Sequence, residues 1–84
     1  MEQSELTDKL NRPYAASHSL SEFYARSVGK TLDYNKEHAL LLDWQEAIDD
    51  CDKIARNLRD RHTMRDMAAF RAEVLILLEC NNIK

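Results

Sequence analysis

The chain has 84 residues, a formal net charge of −3, one glycine, one proline and two cysteines. That length excludes more than one domain, and two cysteines are too few for the disulfide framework of a small secreted protein. The acidic balance argues against binding of nucleic acid, and the longest apolar run, residues 74–78, is too short to span a membrane.

The composition favours an all-α fold in the cytoplasm. Sheets and their turns usually need more glycine and proline than this chain contains. The first residues lack the apolar core of a signal peptide, and their acidic side chains argue against a mitochondrial presequence. We therefore predict a small helical bundle built on a long antiparallel helical hairpin, with a short N-terminal helix and no cofactor.

Residues 1–18 are predicted to form a partly disordered N-terminal tail. Leu6 and Leu10 suit one or two amphipathic turns, but a proline disfavours helix at the residue before it, here Arg12. The segment after Pro13 has the composition of a linker. The single helical domain is therefore placed at residues 19–84.

A first helix is predicted over residues 19–28. Ser19 and Glu22 have the spacing of a capping box, in which each side chain satisfies a backbone N–H of the first turn. Gly29 then suits the left-handed conformation that ends many helices. This helix would be short and amphipathic.

A second helix is predicted over residues 34–62, capped by Asp33 or Asn35. Its apolar positions recur at alternating spacings of three and four, which is the pattern of a heptad seam. That seam comprises Leu41, Trp44, Ile48, Cys51, Ala55 and Leu58.

A third helix is predicted over residues 64–80, with Thr63 and Asp66 as a second capping box. Its apolar side chains spread over more than half of the helix circumference, so we expect it to be covered on more than one side. The predicted core or dimer seam of the second and third helices comprises Leu41, Ile48, Cys51, Leu58, Met67, Phe70, Val74 and Leu77.

The hairpin register predicts an exposed end on the second helix. With the turn at residue 63, the third helix would stop opposite Ile48 or Gln45, and the second helix would project beyond it from Leu40 to Trp44. A tryptophan with apolar neighbours and an acidic rim is typical of a protein-binding hot spot. The predicted partner-binding residues are Leu40, Leu42, Asp43, Trp44, Glu46, Asp49 and Asp50.

The charge pattern predicts self-association. Acids dominate residues 33–52 and bases dominate residues 53–71, so the second helix resembles a rod that is negative at one end and positive at the other. Two such rods are complementary when they run antiparallel, as a two-fold axis requires. The favourable interaction of this pattern with the helix dipole is the alternative explanation. We therefore expect a homodimer.

Several isolated residues carry charged or metal-binding side chains. Arg71 projects from an apolar face, where a charge must be paired, so we predict an ion pair with Asp52 or another acid of the second helix. No histidine stands at metal-ligand spacing from another histidine or cysteine, so no metal is predicted. His62 is expected to close a helix, and Cys51 and Cys80 are expected to be buried free thiols.

The stretch RNLRDRH, residues 56–62, resembles the Arg-Asn…His motif of the HEPN ribonucleases, which are all-helical and usually dimeric. The resemblance covers seven residues and implies that Arg56 and His62 would act together on an RNA phosphodiester. The chain is short for that family.

Three functional hypotheses follow from these patterns. The first is a small non-enzymatic protein-binding module, such as a regulator, adaptor, assembly chaperone or inhibitor, that acts through helical surfaces as a dimer. The second is a decoy whose acidic face, formed by Asp43, Glu46, Asp49 and Asp50, occupies a nucleic-acid-binding protein. The third is the HEPN-like ribonuclease. We favour the first, with a protein partner, no nucleic acid and no membrane.

Overall fold

A computed structural model of the protein describes residues 2–83, with side chains for residues 5–82; Met1 and Lys84 lie outside this range. Three helices follow one another: α1 (Glu2–Arg26), α2 (Tyr34–Leu58) and α3 (Arg61–Ile83). No strand occurs in the described residues. The predicted all-α bundle on an antiparallel hairpin is confirmed.

Helix α2 is the centre of the bundle. It packs against both α1 and α3, whereas no Cα atom of α1 lies within 8 Å of a Cα atom of α3 in the described chain. The Cα atoms extend over 42 × 23 × 17 Å, so the bundle is long and flattened. Side chains rather than backbones therefore bridge α1 and α3.

Helix α1 differs most from the prediction, because it begins at Glu2 and has 25 residues. The segment expected to be a tail and linker is helical, and Ser19 and Glu22 lie in mid-helix instead of capping one. Pro13 is accommodated inside α1 and is buried. A proline removes one hydrogen bond from a helix interior, and burial of its ring against α2 offsets part of that loss.

A heptad pattern explains the length of α1. Buried and half-buried positions recur at spacings of 4, 3, 4, 3 and 4 along its whole length. Packing of this stripe against α2 stabilises a helix that local propensity alone would interrupt at the proline. The stripe comprises Leu6, Leu10, Pro13, Ser17, Leu20 and Tyr24.

The connection between α1 and α2 follows the sequence prediction. Gly29 has a φ of +78°, the left-handed conformation expected after the end of a helix. Asp33 caps α2 and accepts a hydrogen bond from the backbone N–H of Lys36 at 3.1 Å.

The turn between α2 and α3 comes earlier than predicted. Helix α2 ends at Leu58, and Arg59 takes the left-handed conformation with a φ of 57°. Asp60 then caps α3, because its carboxylate accepts from the Thr63 hydroxyl at 2.7 Å and from the Thr63 N–H at 3.1 Å. These two hydrogen bonds, the side-chain one first, lower the pKa of Asp60. His62 therefore lies in the first turn of α3 and does not close α2.

The early turn shifts the register of the hairpin, and the exposed end predicted for α2 is absent. Asn81 of α3 reaches Glu37 and His38 in the first turns of α2, so α3 covers α2 almost to its start. Leu58, expected in the seam, is instead 55% exposed beside the turn. The buried core comprises Leu20, Leu41, Trp44, Ile48, Cys51, Met67 and Val74.

Candidate interaction surface

Helix α3 presents two heptad stripes on opposite sides. The first, here named the inner face, packs on α2 and reaches α1 through Phe70. Met67 and Val74 are completely buried in it. Its residues, at spacings of 3, 4, 3 and 4, are Met67, Phe70, Val74, Leu77 and Asn81.

The second stripe, here named the outer face, points away from the bundle core. It has the same spacing of 3, 4, 3 and 4, and every member is exposed. Leu75 is 52% exposed, and Ile76, which follows it on the same side, is 60% exposed. The outer face comprises Arg65, Ala68, Ala72, Leu75 and Glu79, together with Ile76.

Charges stand only at the two ends of the outer face. Arg65 lies toward the N-terminus of α3 and Glu79 toward its C-terminus, with two exposed alanines and two large apolar residues between them. Within residues 5–82, neither Arg65 nor Glu79 forms an ion pair. Both charges therefore remain available to a partner.

The predicted hot-spot tryptophan is covered within the chain. Trp44 is 1% exposed, because Phe70 of α3 packs on it with ring centroids 5.3 Å apart and Tyr14 of α1 contacts Phe70 at 5.4 Å. Its indole Nε1 is buried without a hydrogen-bond partner in the described residues. Trp44 is therefore core, and Leu40 packs half-buried at the edge of the same cluster.

A buried polar network closes the bundle at the end where α2 begins. Glu37 is 6% exposed; it accepts a hydrogen bond from the Tyr24 hydroxyl of α1 and one from Asn81 Nδ2 of α3 at 2.8 Å. Asn81 Nδ2 also donates to the Tyr34 carbonyl at 3.1 Å, and His38 Nδ1 lies 3.2 Å from Asn81 Oδ1. Burial and the hydrogen bond to Glu37 raise the pKa of Tyr24. This network ties all three helices together.

Sequence reasoning missed this network, although one signal was present. Asn81 continues the inner-face spacing one step beyond Leu77, where an apolar residue would be expected. A polar residue at a seam position indicates a buried hydrogen-bonding partner. Nothing in the local sequence identifies that partner as Glu37.

The four acids of the predicted acidic face, Asp43, Glu46, Asp49 and Asp50, have two basic partners within the described chain. Arg12 of α1 donates to Asp43 at 2.7 Å and lies 3.7 Å from Asp50, and the hydrogen bond to Asp43 is the main cause that raises the pKa of Arg12. Asp49 pairs with Arg71 at 2.7 Å. Glu46 is exposed and forms no ion pair in the described residues. Three of the four acids are thus neutralised within the chain.

The structure also shows the surroundings of Arg71 and Leu42. Arg71 lies 2.7 Å from Asp49 and 3.7 Å from Asp52, which confirms its predicted pairing with acids of α2. Leu42 is 46% exposed on the outer side of α2. Leu42 is the large apolar residue of the predicted partner-binding set that remains accessible.

The residues of the HEPN-like motif belong to two different helices. Arg56 is in the last turn of α2 and donates to Asp52 at 2.8 Å. His62 is in the first turn of α3, with Nε2 3.8 Å from Asp66. Each side chain therefore has its own carboxylate partner.

The two cysteines differ from each other. Cys51 is buried, its thiol donates weakly to the Leu10 carbonyl at 3.7 Å, and burial raises its pKa. Cys80 is exposed, so its predicted burial is wrong. The side chains of residues 5–82 contain no cluster of three or more histidines, cysteines and acids that could hold a metal ion.

An open cavity of about 450 Å³ lies between the end of α1 and the start of α2. Phe23 and Leu40 line its apolar part, and Lys36 Nζ lies 6.0 Å from the centre of the Phe23 ring. Its lining includes two acids and two bases, Glu22, Asp33, Arg26 and Lys36, so the cavity shows no preference for a ligand of one charge.

The chain matches no protein-family model, no curated protein and no solved structure. None of the helices in the described part of the chain combines the length and apolarity required to cross a membrane.

Proposed function

We propose that this chain is a small, non-enzymatic protein-binding module that docks through the outer face of α3. The observation that carries the proposal is the exposure of Leu75 and Ile76 on a helix whose opposite side already forms the core. Two adjacent large apolar residues, both more than half exposed, give a partner apolar surface to cover. Leu42 is exposed on α2 and, in the register set by the Glu37–Asn81 and Asp49–Arg71 contacts, lies level with the C-terminal half of α3.

The composition of the outer face suits a helical partner. Ala68 and Ala72 let another backbone approach closely, while the two larger side chains can insert between the ridges of an opposing helix. Full burial of one such aliphatic side chain contributes about 1.5–3 kcal/mol, and roughly half of that remains available here. The gain on binding is therefore modest, as expected for a regulatory contact.

Other apolar residues are also exposed, so exposure alone does not identify the outer face as a binding surface. Val28 is 79% exposed but follows the end of α1 as a single apolar residue, and Leu58 stands beside charged residues at the hairpin turn. Singly exposed apolar residues are common on soluble proteins. The outer face differs because its apolar residues are contiguous and lie on a regular helix.

Site-specific photo-crosslinking tests the proposal. A photoreactive amino acid replaces Ile76 in one variant and Val28 in a matched control, and both are produced in the native cell. We expect defined adducts with a protein from position 76 and none from position 28. Equal labelling from both positions, or none from position 76, would contradict the proposal.

A charged substitution on the outer face provides a second test of the proposed function. Ile76→Glu is expected to abolish the adducts that form from a photoreactive group at Leu75, while the thermal midpoint changes little, because Ile76 is 60% exposed. A fall of many degrees would show that Ile76 stabilises the fold instead.

A further inference from the structure

We infer that the partner of the outer face is a second copy of this chain, bound antiparallel about a two-fold axis that passes beside Ala72. This inference rests on the proposed function of the outer face and names its occupant. Charge, side-chain size and two-fold symmetry must all agree in one register of the two helices.

Charge complementarity sets the register. Arg65 and Glu79 each lie seven residues from Ala72, on opposite sides of it, which is about 10 Å along the helix axis. When two copies of α3 cross antiparallel at Ala72, Arg65 of each copy stands opposite Glu79 of the other. Arg65 and Glu79, neither of which forms an ion pair within residues 5–82, then pair with each other twice across the interface.

Side-chain size agrees with the same register. Ala72 meets its own copy at the crossing point, so the two helix axes can approach to the short end of the usual 8–10 Å. Ala68 stands opposite Ile76 of the other copy, which pairs a small residue with a large one on both sides of the axis. No like charges meet, and no two large side chains collide.

The interface is expected to be weak. A standard stable interface buries about 800 Å² per partner, and one face of a single helix offers less. We therefore expect a dissociation constant of about 10–100 μM, measured by sedimentation velocity over a concentration series that spans this range.

Charge-swap variants test the register. Arg65→Glu and Glu79→Arg each place like charges opposite one another twice, and each should raise the dissociation constant about tenfold. An equimolar mixture of the two variants restores both opposite-charge pairs and should form heterodimers with close to wild-type affinity. Neither change should weaken α3 itself, because glutamate suits the N-terminal half of a helix and arginine the C-terminal half.

A symmetric disulfide gives an independent readout. In a Cys80→Ser background, Ala72→Cys places one thiol beside the axis in each copy, within the Cα separation that a disulfide spans. Mild oxidation should give a covalent dimer from Ala72→Cys and none from a matched control, Ala25→Cys on α1.

Each outcome decides the inference. A monomeric wild type throughout the concentration series would overturn it, while crosslinks from position 76 to a different protein would leave the proposed function standing. A dimer that is indifferent to both charge variants would place the interface elsewhere. Failure of the mixture to recover affinity would overturn the antiparallel register.

Discussion

The inner and outer faces of α3 have the same heptad spacing but opposite roles. On the inner face, Met67 and Val74 are completely buried, whereas on the outer face Leu75 and Ile76 are more than half exposed. Spacing therefore shows which residues share a side of a helix, and it does not show which side the chain covers. Helix α2 covers the inner face, and side chains of α1 add to this cover through their contact with Phe70.

The largest expected effect comes from removing bulk on the inner face. Met67→Ala should lower the free energy of unfolding by about 2–5 kcal/mol, because it leaves a cavity in a fully buried site. Ile76→Ala on the outer face should change it by no more than about 0.5 kcal/mol. Urea unfolding of dilute protein measures the free energy of unfolding of both variants. Similar losses of stability in the two would show that the inner and outer faces do not differ in their contribution to the fold.

The polar end of the inner face should give the next largest effect. Asn81→Leu leaves Glu37 and the Tyr34 carbonyl each without one hydrogen bond, and an unmade bond in a buried site costs about 1–3 kcal/mol. The neighbouring residue Asn82 is exposed, so Asn82→Leu is the matched control and should be nearly neutral. Stabilisation by Asn81→Leu would mean that the network is dispensable.

Alkaline pH should loosen the contacts that α1 makes with the other helices. Burial and the hydrogen bond to Asp66 raise the pKa of Tyr14 to about 12 from its ordinary value of 10.0, and the pKa of Tyr24 is also raised. A raised pKa in the folded state means that the stability is complete below about pH 10 and is lost as pH rises through the folded value.

Comparison of unfolding free energies at about pH 9 and pH 11 measures this loss. Tyr14→Phe together with Tyr24→Phe should reduce the pH dependence, because phenylalanine does not titrate. If the double variant loses as much unfolding free energy between these two pH values as the wild type, the pH dependence does not come from Tyr14 and Tyr24.

The smallest effect is expected at the border between the two faces. Arg71→Met removes the 2.7 Å pair with the exposed Asp49, and an exposed pair contributes only about 0.2–1 kcal/mol. It also removes the 3.7 Å contact with the buried Asp52, which keeps Arg56 as a partner at 2.8 Å. The loss should diminish further in high salt, because screening weakens the wild-type pairs. Thermal melts of both proteins at low and high salt check this, and an effect above about 2 kcal/mol would mean that Arg71 belongs to the core.

Features governed by local chemistry were predictable from the sequence. Gly29 and Asp33 follow from turn and capping preferences, and the pairing of Arg71 follows from a charge on an apolar face. The start of α1 was missed because Pro13 is a local signal against helix, while the burial that overrides it depends on α2. Missing Asp60 as the cap of α3 moved the predicted turn, and that displacement produced the false exposed end at Trp44.

The candidate surface was only partly predictable for the same reason. The apolar excess of α3 predicted cover on more than one side, but within the chain Leu75 and Ile76 are exposed, and the shifted register had assigned the uncovered surface to α2. Of the predicted partner-binding residues, Trp44 is buried, three acids are paired within the chain, and Leu42 remains an exposed apolar residue. Asn81 at an inner-face position is the sequence signal of the polar network, but its partner Glu37 is set by contacts between helices and could not be identified.

The central position of α2 also has a consequence for the order of folding. Most contacts join helices that are neighbours in sequence, and low contact order is associated with folding in microseconds to milliseconds. The bridge from Tyr14 to Asp66 joins residues separated by 52 positions, so a long loop must close before the bridge can form. We expect this bridge to form after the barrier, so that Tyr14→Phe accelerates unfolding in stopped-flow experiments and leaves the folding rate unchanged.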